Sequence, residues 1–359
     1  MKKPLVGISM GDPSGIGPEI CVKAVAEEAV IGQCRPVIVG DAEIMRRAAD
    51  LLGSDWPVHI TGEVPDTGFR EGAINVYDTG GIDHEKVKFG EISVESGNAA
   101  FQAVKNVIQL AMDGRIDATV TAPIHKESLN LAGHRYAGHT EIYSDLTGSK
   151  QVAMLLADGD FRVIHVSTHV SLRQACDRVK KDRILHVIRL LHDACRQFGV
   201  DRPRLAVCGL NPHASDGGLF GDEEEKEIMP AIAQANKEGM LTDGPFAADT
   251  IMSKVVGGFF DGCVAMYHDQ GHIPFKVKGF VWDRETGNWG KIRGVNITLG
   301  IPIIRVSVDH GTAFDIAGKG IASCESLMHA IEYAVRMSEH KKRNNRNQSR
   351  KNHHPFEKS

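Results

Sequence analysis

The 359-residue sequence lacks the features that define several large protein classes. No run approaches the roughly 18 apolar residues of a transmembrane helix. The start, MKKPLVGISMGDPSG, has a Gly-Asp-Pro break where a signal peptide needs an apolar stretch. The seven cysteines form no Cys-x-x-Cys pair, so neither a zinc ribbon nor a thioredoxin-type motif is supported. We therefore expect a cytoplasmic protein with reduced thiols.

Excess positive charge is also absent from most of the chain. The 42 Lys and Arg against 46 Asp and Glu give a net charge of −4, and residues 340–359 alone carry +6, which leaves −10 on the rest. An acidic body argues against a nucleic-acid surface as the main function. The final HKKRNNRNQSRKNHHPFEKS is polar, charged and aperiodic, which predicts disorder.

The common glycine-rich nucleotide motifs, GxGxxG and GxxxxGK[ST], are missing as well. The sequence has instead GDPSGIGPE at residues 11–19, which follows a predicted strand and opens a helix. A turn of this kind can offer backbone N–H groups to an anion. A tight turn without a ligand remains the alternative interpretation.

Short β-rich runs alternate with helical patterns, which predicts an α/β protein with a largely parallel sheet. The apolar residues of Glu95–Met112 recur with the i, i+3, i+4 spacing of an amphipathic helix. Residues 157–160, Ala-Asp-Gly-Asp, predict a hairpin turn. The other predicted helices are Arg178–Phe198, one from Asp222, and Glu325–Ser338; the predicted strands are Leu5–Met10, Pro36–Val39, Ile74–Tyr77, Ala118–Thr121, Val152–Leu156, Phe161–Ser167, Leu205–Gly209, Gly262–Tyr267, Val295–Thr298 and Ile303–Val308.

Three histidines occupy equivalent places in this pattern. His169, His213 and His268 each lie at or just past the carboxyl end of a predicted strand, where ligands gather in open α/β sheets. Imidazole suits zinc, cobalt, nickel or iron, and three protein ligands leave a position open for substrate. Ordinary hydrogen-bonded loop or core histidines are the alternative, and the spacing alone leaves both open.

Several motifs together resemble known families. HGTAFDIAGKGIA at residues 310–322 resembles the adenosine-binding loop of isopropylmalate dehydrogenases, and GDPSGIGPEI resembles the GDGIGPEI of the same superfamily. Seven further motifs are TAPIHKESL (121–129), AGHTE (137–141), THVSLRQ (168–174), CGLNPHASDGGLFGDEE (208–224), GPFAADT (244–250), MYHDQGHIPFK (266–276) and GVNITLGIPIIRVSVDHGTAFDIAGKG (294–320). With these motifs the chain resembles, from about residue 5 to 338, the 4-hydroxythreonine-4-phosphate dehydrogenase family. Details such as HVSLRQ, GLFGDEE and DQGHIPFK resemble its branch of D-threonate and D-erythronate 4-phosphate dehydrogenases.

The resemblance implies an isocitrate/isopropylmalate dehydrogenase-like fold of two α/β/α domains with largely parallel sheets and an active site in the interdomain cleft. The first domain would comprise residues 1–130 and 300–339, and the second, with the metal site and dimer interface, residues 131–299. The resemblance also implies a homodimer with a shared active site, NAD, and one divalent ion (Zn, Mg, Co or Mn) per site. The segment GPFAADTIMSKVVGGFF (244–260) would supply apolar surface near that site.

Site residues carry over from the family position by position. The metal ligands fall on His169, His213 and His268, and Asp249 matches an aspartate near the metal. Asp249 and His139 are candidates for the general base, with a carboxylate that only orients a ligand and a phosphate-binding imidazole as the alternatives, and Lys276 joins them as a catalytic candidate. The substrate contacts fall on His139, Thr140, Lys276, Asn296 and Arg305, and the cofactor contacts on Gly311, Thr312, Asp315 and Gly318; for Asp315 a helix cap is the alternative.

The implied reaction is NAD- and metal-dependent oxidation of the 3-hydroxyl of a 4-phosphorylated hydroxy acid, with decarboxylation to a phospho-ketone. The phosphorylated acid would be D-threonate 4-phosphate, D-erythronate 4-phosphate or 4-phosphohydroxy-L-threonine. A cis-dihydrodiol carboxylate dehydrogenase of the same family is the first alternative. A metal-dependent hydrolase or a catalytically silent phosphosugar-binding protein is the second, but a hydrolase has no need of the loop at residues 310–322.

The chain departs from the family between Lys276 and Asn296. Residues 279–293, GFVWDRETGNWGKIR, are roughly a dozen more than the usual link, and their Glu-Thr-Gly-Asn centre predicts a small hairpin that contains Trp282 and Trp289. The hairpin is either a surface feature packed on the body or partner subunit, or a lid that limits substrate size.

Overall fold

A computed structural model describes residues 2–62, 68–280, 282–285, 288–289 and 294–352. Its strands largely follow the predicted β-rich runs. In chain order they are β1 (Leu5–Ser9), β2 (Arg35–Gly40), β3 (Val58–Ile60), β4 (Ile74–Asp78), β5 (Ala118–Thr121), β6 (Ala153–Asp158), β7 (Phe161–His165), β8 (Arg204–Cys208), β9 (Leu241–Phe246), β10 (Gly262–Ala265), β11 (Trp282–Asp283), β12 (Asn288–Trp289), β13 (Val295–Leu299) and β14 (Arg305–Val308).

The α-helices alternate with these strands, which confirms the predicted α/β class. They are α1 (Gly17–Ala26), α2 (Glu28–Gln33), α3 (Ala42–Leu51), α4 (Val94–Met112), α5 (Lys126–Leu131), α6 (His139–Leu146), α7 (Leu172–Asp177), α8 (Lys181–Gln197), α9 (Met229–Lys237), α10 (Ala248–Val256), α11 (His268–Gly279) and α12 (Glu325–Asn352). A π-helical turn, Glu224–Ile228, precedes α9 where the sequence predicts a helix from Asp222.

The chain divides into two compact units: unit 1, Met1–Lys150 with Ile301–Ser359, and unit 2, Gln151–Gly300. The boundary therefore lies after residue 150, and the predicted boundary after residue 130 needs correction. The reason is that Ile142 and Tyr143 of α6 are fully buried in the core of unit 1. His139 and Thr140 consequently belong to unit 1.

Unit 1 contains a parallel sheet in the order β3-β4-β2-β1-β5-β14. Every residue of β1, β5 and β14 is buried, which requires cover on both faces of the sheet. Helix α4 packs against β1 and β2. It begins where Ser93 accepts a hydrogen bond from the backbone N of Ser96, and its buried face includes Val104 and Val107. The predicted helix Glu95–Met112 is thus confirmed.

Unit 2 contains a mixed sheet in the order β13-β6-β7-β10-β8-β9. Strand β6 is antiparallel to both β13 and β7, and the second pairing confirms the predicted hairpin. Strands β7, β10, β8 and β9 are mutually parallel. The carboxyl ends of β7, β10 and β8 therefore lie side by side at one edge of this sheet.

Helix α12 continues to Asn352, although the sequence predicts disorder from residue 340. Basic side chains that read as solvated in the sequence contact unit 1: Lys342 Nζ lies 2.7 Å from Asp117 Oδ1, and Lys341 Nζ donates to the carbonyl of Pro302 at 3.3 Å. The predicted disorder is therefore wrong for residues 340–352, and residues 353–359 lie outside the described residues.

The predicted hairpin in the 279–293 segment is confirmed where the segment is described, because β11 and β12 pair antiparallel with Trp282 opposite Trp289. Residues 281, 286–287 and 290–293 lie outside the described residues. Across the described ranges, none of the helices combines the length and apolarity that crossing a membrane requires.

Candidate active site

The three histidines predicted as metal ligands follow three adjacent parallel strands of unit 2. His169 comes four residues after β7, His213 follows β8 in a short left-handed turn, and His268 opens α11 after β10. The rings of His169 and His268 have centroids 6.1 Å apart. Both His169 and His213 are exposed, as an incoming ligand requires.

An unusual backbone turn presents His213. Four consecutive non-glycine residues, from His213 to Asp216, have positive φ values of 47° to 67°. Such a conformation is costly and persists only where neighbouring contacts determine it. The buried carboxylate of Glu224 holds the residues just before this turn, because its Oε1 accepts the backbone N–H groups of Leu210 at 2.7 Å and Asn211 at 2.8 Å. These two hydrogen bonds therefore fix the backbone of Leu210 and Asn211, directly before the turn.

His268 is oriented by its neighbour Asp269. The Nδ1 of His268 lies 2.7 Å from Asp269 Oδ1, and a carboxylate at that position favours the proton on Nδ1. This tautomer leaves the lone pair on Nε2, the arrangement that metal-binding histidines commonly have. Asp269 thus holds His268 in the tautomer that a metal ligand would need.

Gln270 joins the strand ends that precede His213 and His268. Its Oε1 accepts the backbone N–H of Met266 at 2.7 Å, and its Nε2 donates to the carbonyl of Gly209 at 2.8 Å. Met266 follows β10 and Gly209 follows β8. One amide side chain therefore holds the two histidine-bearing segments together.

Two further histidines lie behind His268. The ring of His272 stacks on that of His268, and His165 lies with its centroid 4.6 Å from His272. Burial, and after it the neighbouring His272, lowers the pKa of His165 to about 3. Burial and then His268 lower the pKa of His272 to about 4. Both imidazoles are therefore neutral near pH 7.

Within one chain, the carboxyl ends of β7, β10 and β8 supply only part of a metal site. An exposed ring, His169, and a half-buried ring, His268, with centroids 6.1 Å apart, the second oriented by a carboxylate, suit a divalent cation. Across the described ranges, however, three His, Cys, Asp or Glu side chains nowhere come close enough to hold an ion together. The third predicted ligand is therefore not brought to the other two by a single chain.

The remaining predicted site residues of unit 2 are more dispersed. Asp249 lies exposed in the first turn of α10, and within the described residues it forms no hydrogen bond or ion pair. Lys276 lies on α11 with its Nζ 4.1 Å from the centroid of the Phe280 ring. Asn296 lies on β13 opposite Leu156 of β6. Within the described residues, Asp249 and two of the histidines do not form a group that could hold one ion.

In unit 1 the structure brings together His139 and Arg305, two predicted substrate contacts. Arg305 is buried on β14, donates from Nη2 to Thr121 Oγ1 at 3.1 Å, and lies over the Tyr143 ring. Burial lowers the pKa of Arg305 to about 10, so the guanidinium remains a cation at pH 7.

The neighbouring imidazole has the opposite protonation state. Burial and then the charge of Arg305 hold the pKa of His139 well below its usual value, and its Nε2 is buried without a hydrogen-bond partner in the described structure. Thr140 follows His139 in the first turn of α6. A fixed cation beside a neutral imidazole suits recognition of a phosphate or carboxylate.

The two glycine-rich segments predicted to bind an anion and a cofactor meet in unit 1. The backbone N of Ile16 donates to the carbonyl of Thr312 at 3.0 Å, so the turn at residues 11–16 lies against the loop at residues 309–324, hereafter the cofactor loop. Burial raises the pKa of Asp12, in the first segment, to about 6. In the cofactor loop Gly311 and Asp315 are exposed.

The alternative role of Asp315 as a helix cap does not fit the structure. The next helix along the chain, α12, begins ten residues later at Glu325. Gly318, the fourth predicted cofactor residue, has a φ of +76°, and a Cβ on it would lie 2.5 Å from the Phe89 ring. A glycine is therefore needed at position 318 for the loop to adopt this shape.

Sequence reasoning missed several residues that arrange this site, namely His165, Glu224, Asp269, Gln270 and His272. Asp269 and Gln270 stand inside the MYHDQG motif, so the motif itself was the available signal. Glu224 lies eleven residues beyond His213, and its contacts depend on the fold of the intervening turn.

Comparison with known proteins agrees with the resemblance seen in the motifs. Residues 32–334 match the family model described as pyridoxal phosphate biosynthetic protein PdxA. The chain is 43% identical over 336 residues, 93% of its length and 97% of the relative's, to a D-threonate 4-phosphate dehydrogenase of Cupriavidus necator.

Two solved structures extend the comparison. A 4-hydroxythreonine-4-phosphate dehydrogenase from Klebsiella pneumoniae is 41% identical with a TM-score of 0.81, covering 94% of this chain and 100% of that one. A terephthalate 1,2-cis-dihydrodiol dehydrogenase from Burkholderia xenovorans LB400 is 29% identical with a TM-score of 0.67, covering 93% and 98%. These relatives are dehydrogenases, as the sequence predicts, and the chain belongs to the PdxA family of oxidoreductases.

Proposed function

We propose that the protein is an NAD- and divalent-metal-dependent dehydrogenase that oxidises the 3-hydroxyl of a 4-phosphorylated hydroxy acid and releases a phospho-ketone and CO₂. D-Threonate 4-phosphate is the preferred substrate in this proposal. The observation that carries it is the position of His169, His213 and His268 after three adjacent parallel strands, in a chain 43% identical to a D-threonate 4-phosphate dehydrogenase.

The proposed contacts to the anionic groups of the substrate are Arg305, His139, Thr140, Lys276 and Asn296. Arg305 is a buried permanent cation, and a desolvated guanidinium binds a phosphate or carboxylate more strongly than an exposed one. His139 offers a neutral buried imidazole beside it, and Thr140 a hydroxyl. Lys276 and Asn296 are the remaining proposed substrate contacts.

The reaction removes a hydride from carbon 3 and a proton from its hydroxyl, and the resulting β-keto acid then loses CO₂ by cleavage of the bond between carbons 1 and 2. Carbon 2 takes up a proton in place of the carboxylate, which gives the phospho-ketone. NAD would accept the hydride. A divalent ion held by His169, His213 and His268 would supply Lewis acidity at the hydroxyl and the ketone. His139, neutral at pH 7, can accept the hydroxyl proton at Nε2, and Asp249 is the alternative base.

The cofactor loop would hold the adenosine half of NAD. Asp315 is exposed there, and its carboxylate suits a ribose or adenine hydrogen bond. Gly311 has open space where a Cβ would lie and would allow close approach of the cofactor, and Thr312 and Gly318 would be further contacts.

We also propose that a second copy of the chain completes the metal site. This would explain why one chain does not gather three ligands in the described residues. Exposed apolar side chains accompany each predicted ligand along the chain: Leu172 after His169, Leu219 after His213, and Ile273 and Val277 after His268. Phe259 and Val256, in the predicted interface segment, are also exposed. Large exposed apolar side chains of this kind favour an interface.

The sharing of ligands can be tested by mixing inactive variants. His169→Ala, His213→Ala and His268→Ala proteins would be unfolded and refolded together in pairs, and metal content and NADH formation measured. A pair whose replaced histidines come from different subunits restores one intact site in each mixed dimer, about a quarter of all sites with random mixing. Failure of all three pairs, with mixed dimers demonstrated, would contradict a shared site.

The function itself is tested by NADH formation with the metal-loaded protein and four substrates. These are D-threonate 4-phosphate, D-erythronate 4-phosphate, 4-phosphohydroxy-L-threonine and a terephthalate dihydrodiol, with unphosphorylated D-threonate as the matched control. We expect turnover of a phosphorylated acid and a large loss with the control. Absence of NADH with every phosphorylated acid would overturn the proposal.

A cis-dihydrodiol carboxylate dehydrogenase is the second candidate, favoured by the similarity to the Burkholderia xenovorans structure. It would be supported by turnover of the terephthalate dihydrodiol in preference to every phosphorylated acid. The higher identity to the Cupriavidus necator enzyme favours the phosphorylated acid.

A further inference from the structure

We propose that Glu19 and Lys23 of helix α1 are positioning residues for NAD: they hold the cofactor loop in its binding shape from outside the cofactor contacts. The proposal rests on the proposed function in one respect, the assignment of NAD to this loop. All the groups involved belong to unit 1.

Glu19 fixes the middle of the cofactor loop. Its side chain is fully buried, and Oε1 accepts the backbone N–H of Gly318 at 2.5 Å. A buried carboxylate is costly unless it is hydrogen-bonded, so a loop displaced from Glu19 would leave a buried charge without this donor. Gly318 is itself confined by its positive φ and by the Phe89 ring. This pairing therefore disfavours alternative conformations at residue 318.

Lys23 fixes the end of the same loop, one helical turn further along α1. Its Nζ donates to two backbone carbonyls, Gly320 at 2.8 Å and Ala322 at 2.7 Å. An ammonium group has three donors, so one lysine can satisfy both carbonyls at once. Because these residues are not in a strand or helix, the lysine replaces the hydrogen bonds that regular structure would provide.

The start of the loop is held by the start of α1. The backbone N of Ile16 donates to Thr312, and a Cβ on Gly15 would lie 2.8 Å from the same carbonyl oxygen. Helix α1 and the residue before it thus contact the loop at residues 312, 318, 320 and 322. The predicted cofactor contacts, Thr312, Asp315 and Gly318, lie between or on these points.

The contacts of Glu19 and Lys23 are expected to affect the affinity for NAD more than the rate of the chemical step. A loop that is already ordered loses less conformational entropy when a ligand binds, so its contacts contribute more of their energy to affinity. Glu19 and Lys23 would act in this way without touching NAD. Loosening them is therefore expected to weaken NAD binding and to leave the bound complex competent.

The experiment compares Lys23→Met with Lys23→Arg, which keeps donors for both carbonyls, and with Lys105→Met, an exposed lysine of unit 1 on α4. The NAD dissociation constant is measured by calorimetry, KM and kcat by NADH formation, and loop order by amide hydrogen exchange of residues 316–322. Glu19→Gln is examined in the same way.

We expect Lys23→Met to raise the NAD dissociation constant about tenfold, which corresponds to the loss of two hydrogen bonds. Exchange at residues 316–322 should accelerate, kcat at saturating NAD should change by less than about twofold, and KM for the acid should not move. Lys23→Arg should restore most of the affinity, and Lys105→Met should match the unaltered protein.

Two results would overturn the proposal: unchanged exchange and NAD affinity in Lys23→Met and Glu19→Gln, or equal losses in kcat and in both Michaelis constants, which would indicate general disruption. Failure of the proposed function would give a different result. The unaltered protein would then not bind NAD, but the loop in Lys23→Met would still exchange faster than in the unaltered protein if α1 holds it.

Discussion

The imidazole of His272 lies flat on that of His268, with ring centroids 3.6 Å apart and ring planes within 10°. The Nδ1–H of His272 also donates to the backbone carbonyl of His268 at 3.0 Å. The hydrogen bond and the stacking contact together fix the position of the His272 ring. His268 is thereby held between Asp269, which bonds its Nδ1, and a neutral aromatic ring. A proposed metal ligand so constrained has little rotational freedom left to lose.

Replacing His272 with alanine should therefore weaken metal binding. We expect the dissociation constant for Co²⁺ to rise about tenfold, the lower end of the effect seen for residues that orient metal ligands. His272→Phe keeps the stacked ring and should retain most of the affinity. Titration followed by the visible absorption of bound Co²⁺ measures both. An equal loss of Co²⁺ affinity in the two variants would show that the stacked ring does not support metal binding.

The ligand assignment makes a separate prediction. Alanine at His169, His213 or His268 should raise the metal dissociation constant by more than about a hundredfold, because each removes one of three ligands. Far-ultraviolet circular dichroism should be unchanged. His192→Ala is the matched control, since His192 lies on α8 beside Asp193 and away from the strand edge. A His213→Ala protein with full metal content and activity would exclude His213 as a ligand.

Arg305→Lys should damage substrate binding although it keeps the charge. The guanidinium lies over the Tyr143 ring and reaches Thr121, and a lysine cannot reproduce that planar geometry. We expect KM for the phosphorylated acid to rise about tenfold or more while KM for NAD stays constant.

The companion variant Tyr143→Phe separates binding from stability. It removes the hydroxyl that donates to Thr119 Oγ1 at 3.0 Å, which should lower the free energy of unfolding by about 1 kcal/mol. The ring under Arg305 remains, so KM for the acid should stay near its original value. A similar rise in KM for both variants would mean that Arg305 only supports the fold.

Asp12 gives a pH dependence of stability. Burial raises its pKa from 3.8 to about 6, so the folded state holds a proton that the unfolded state releases as pH rises from about 4. Stability contributed by the protonated form is therefore present below pH 4 and is lost as pH rises through about 6, by up to about 3 kcal/mol. Asp12→Asn does not titrate and should lack this loss.

The measurement is the difference in unfolding free energy between the unaltered protein and Asp12→Asn at pH 4.5, 5.5 and 7. This difference should shift in favour of the variant as pH rises. Parallel pH profiles would show that Asp12 does not titrate in this range.

The sequence predicts those parts of the fold that depend on local patterns. The buried parallel strands, the amphipathic helix α4 and the β6–β7 hairpin all follow from hydrophobic period and turn residues. The helix α12 extends further than its sequence indicates, because Lys342 and Lys341 find partners, Asp117 and Pro302, that lie far away in the chain. The sequence likewise predicts that the first part of unit 1 ends at residue 130, because the burial of Ile142 in the core of this unit depends on tertiary contacts.

The candidate site also contains features that local patterns predict and features that depend on tertiary contacts. The placement of the three histidines after strands could be predicted from spacing, and their proposed role as ligands rests on the family resemblance. The left-handed turn at His213 could not be predicted, because non-glycine residues rarely adopt positive φ and the contacts of Glu224 just before the turn depend on the tertiary fold. The stacking of His272 on His268 follows from helical spacing, but four residues of separation do not indicate which ring binds a ligand.

The most direct test of the account measures NADH and CO₂ in one reaction of the metal-loaded protein with D-threonate 4-phosphate labelled at carbon 1. The account predicts equal molar amounts of both products, no reaction after the metal is chelated, and recovery when a divalent ion is returned. NADH without CO₂, or no NADH from the metal-loaded protein, would contradict it.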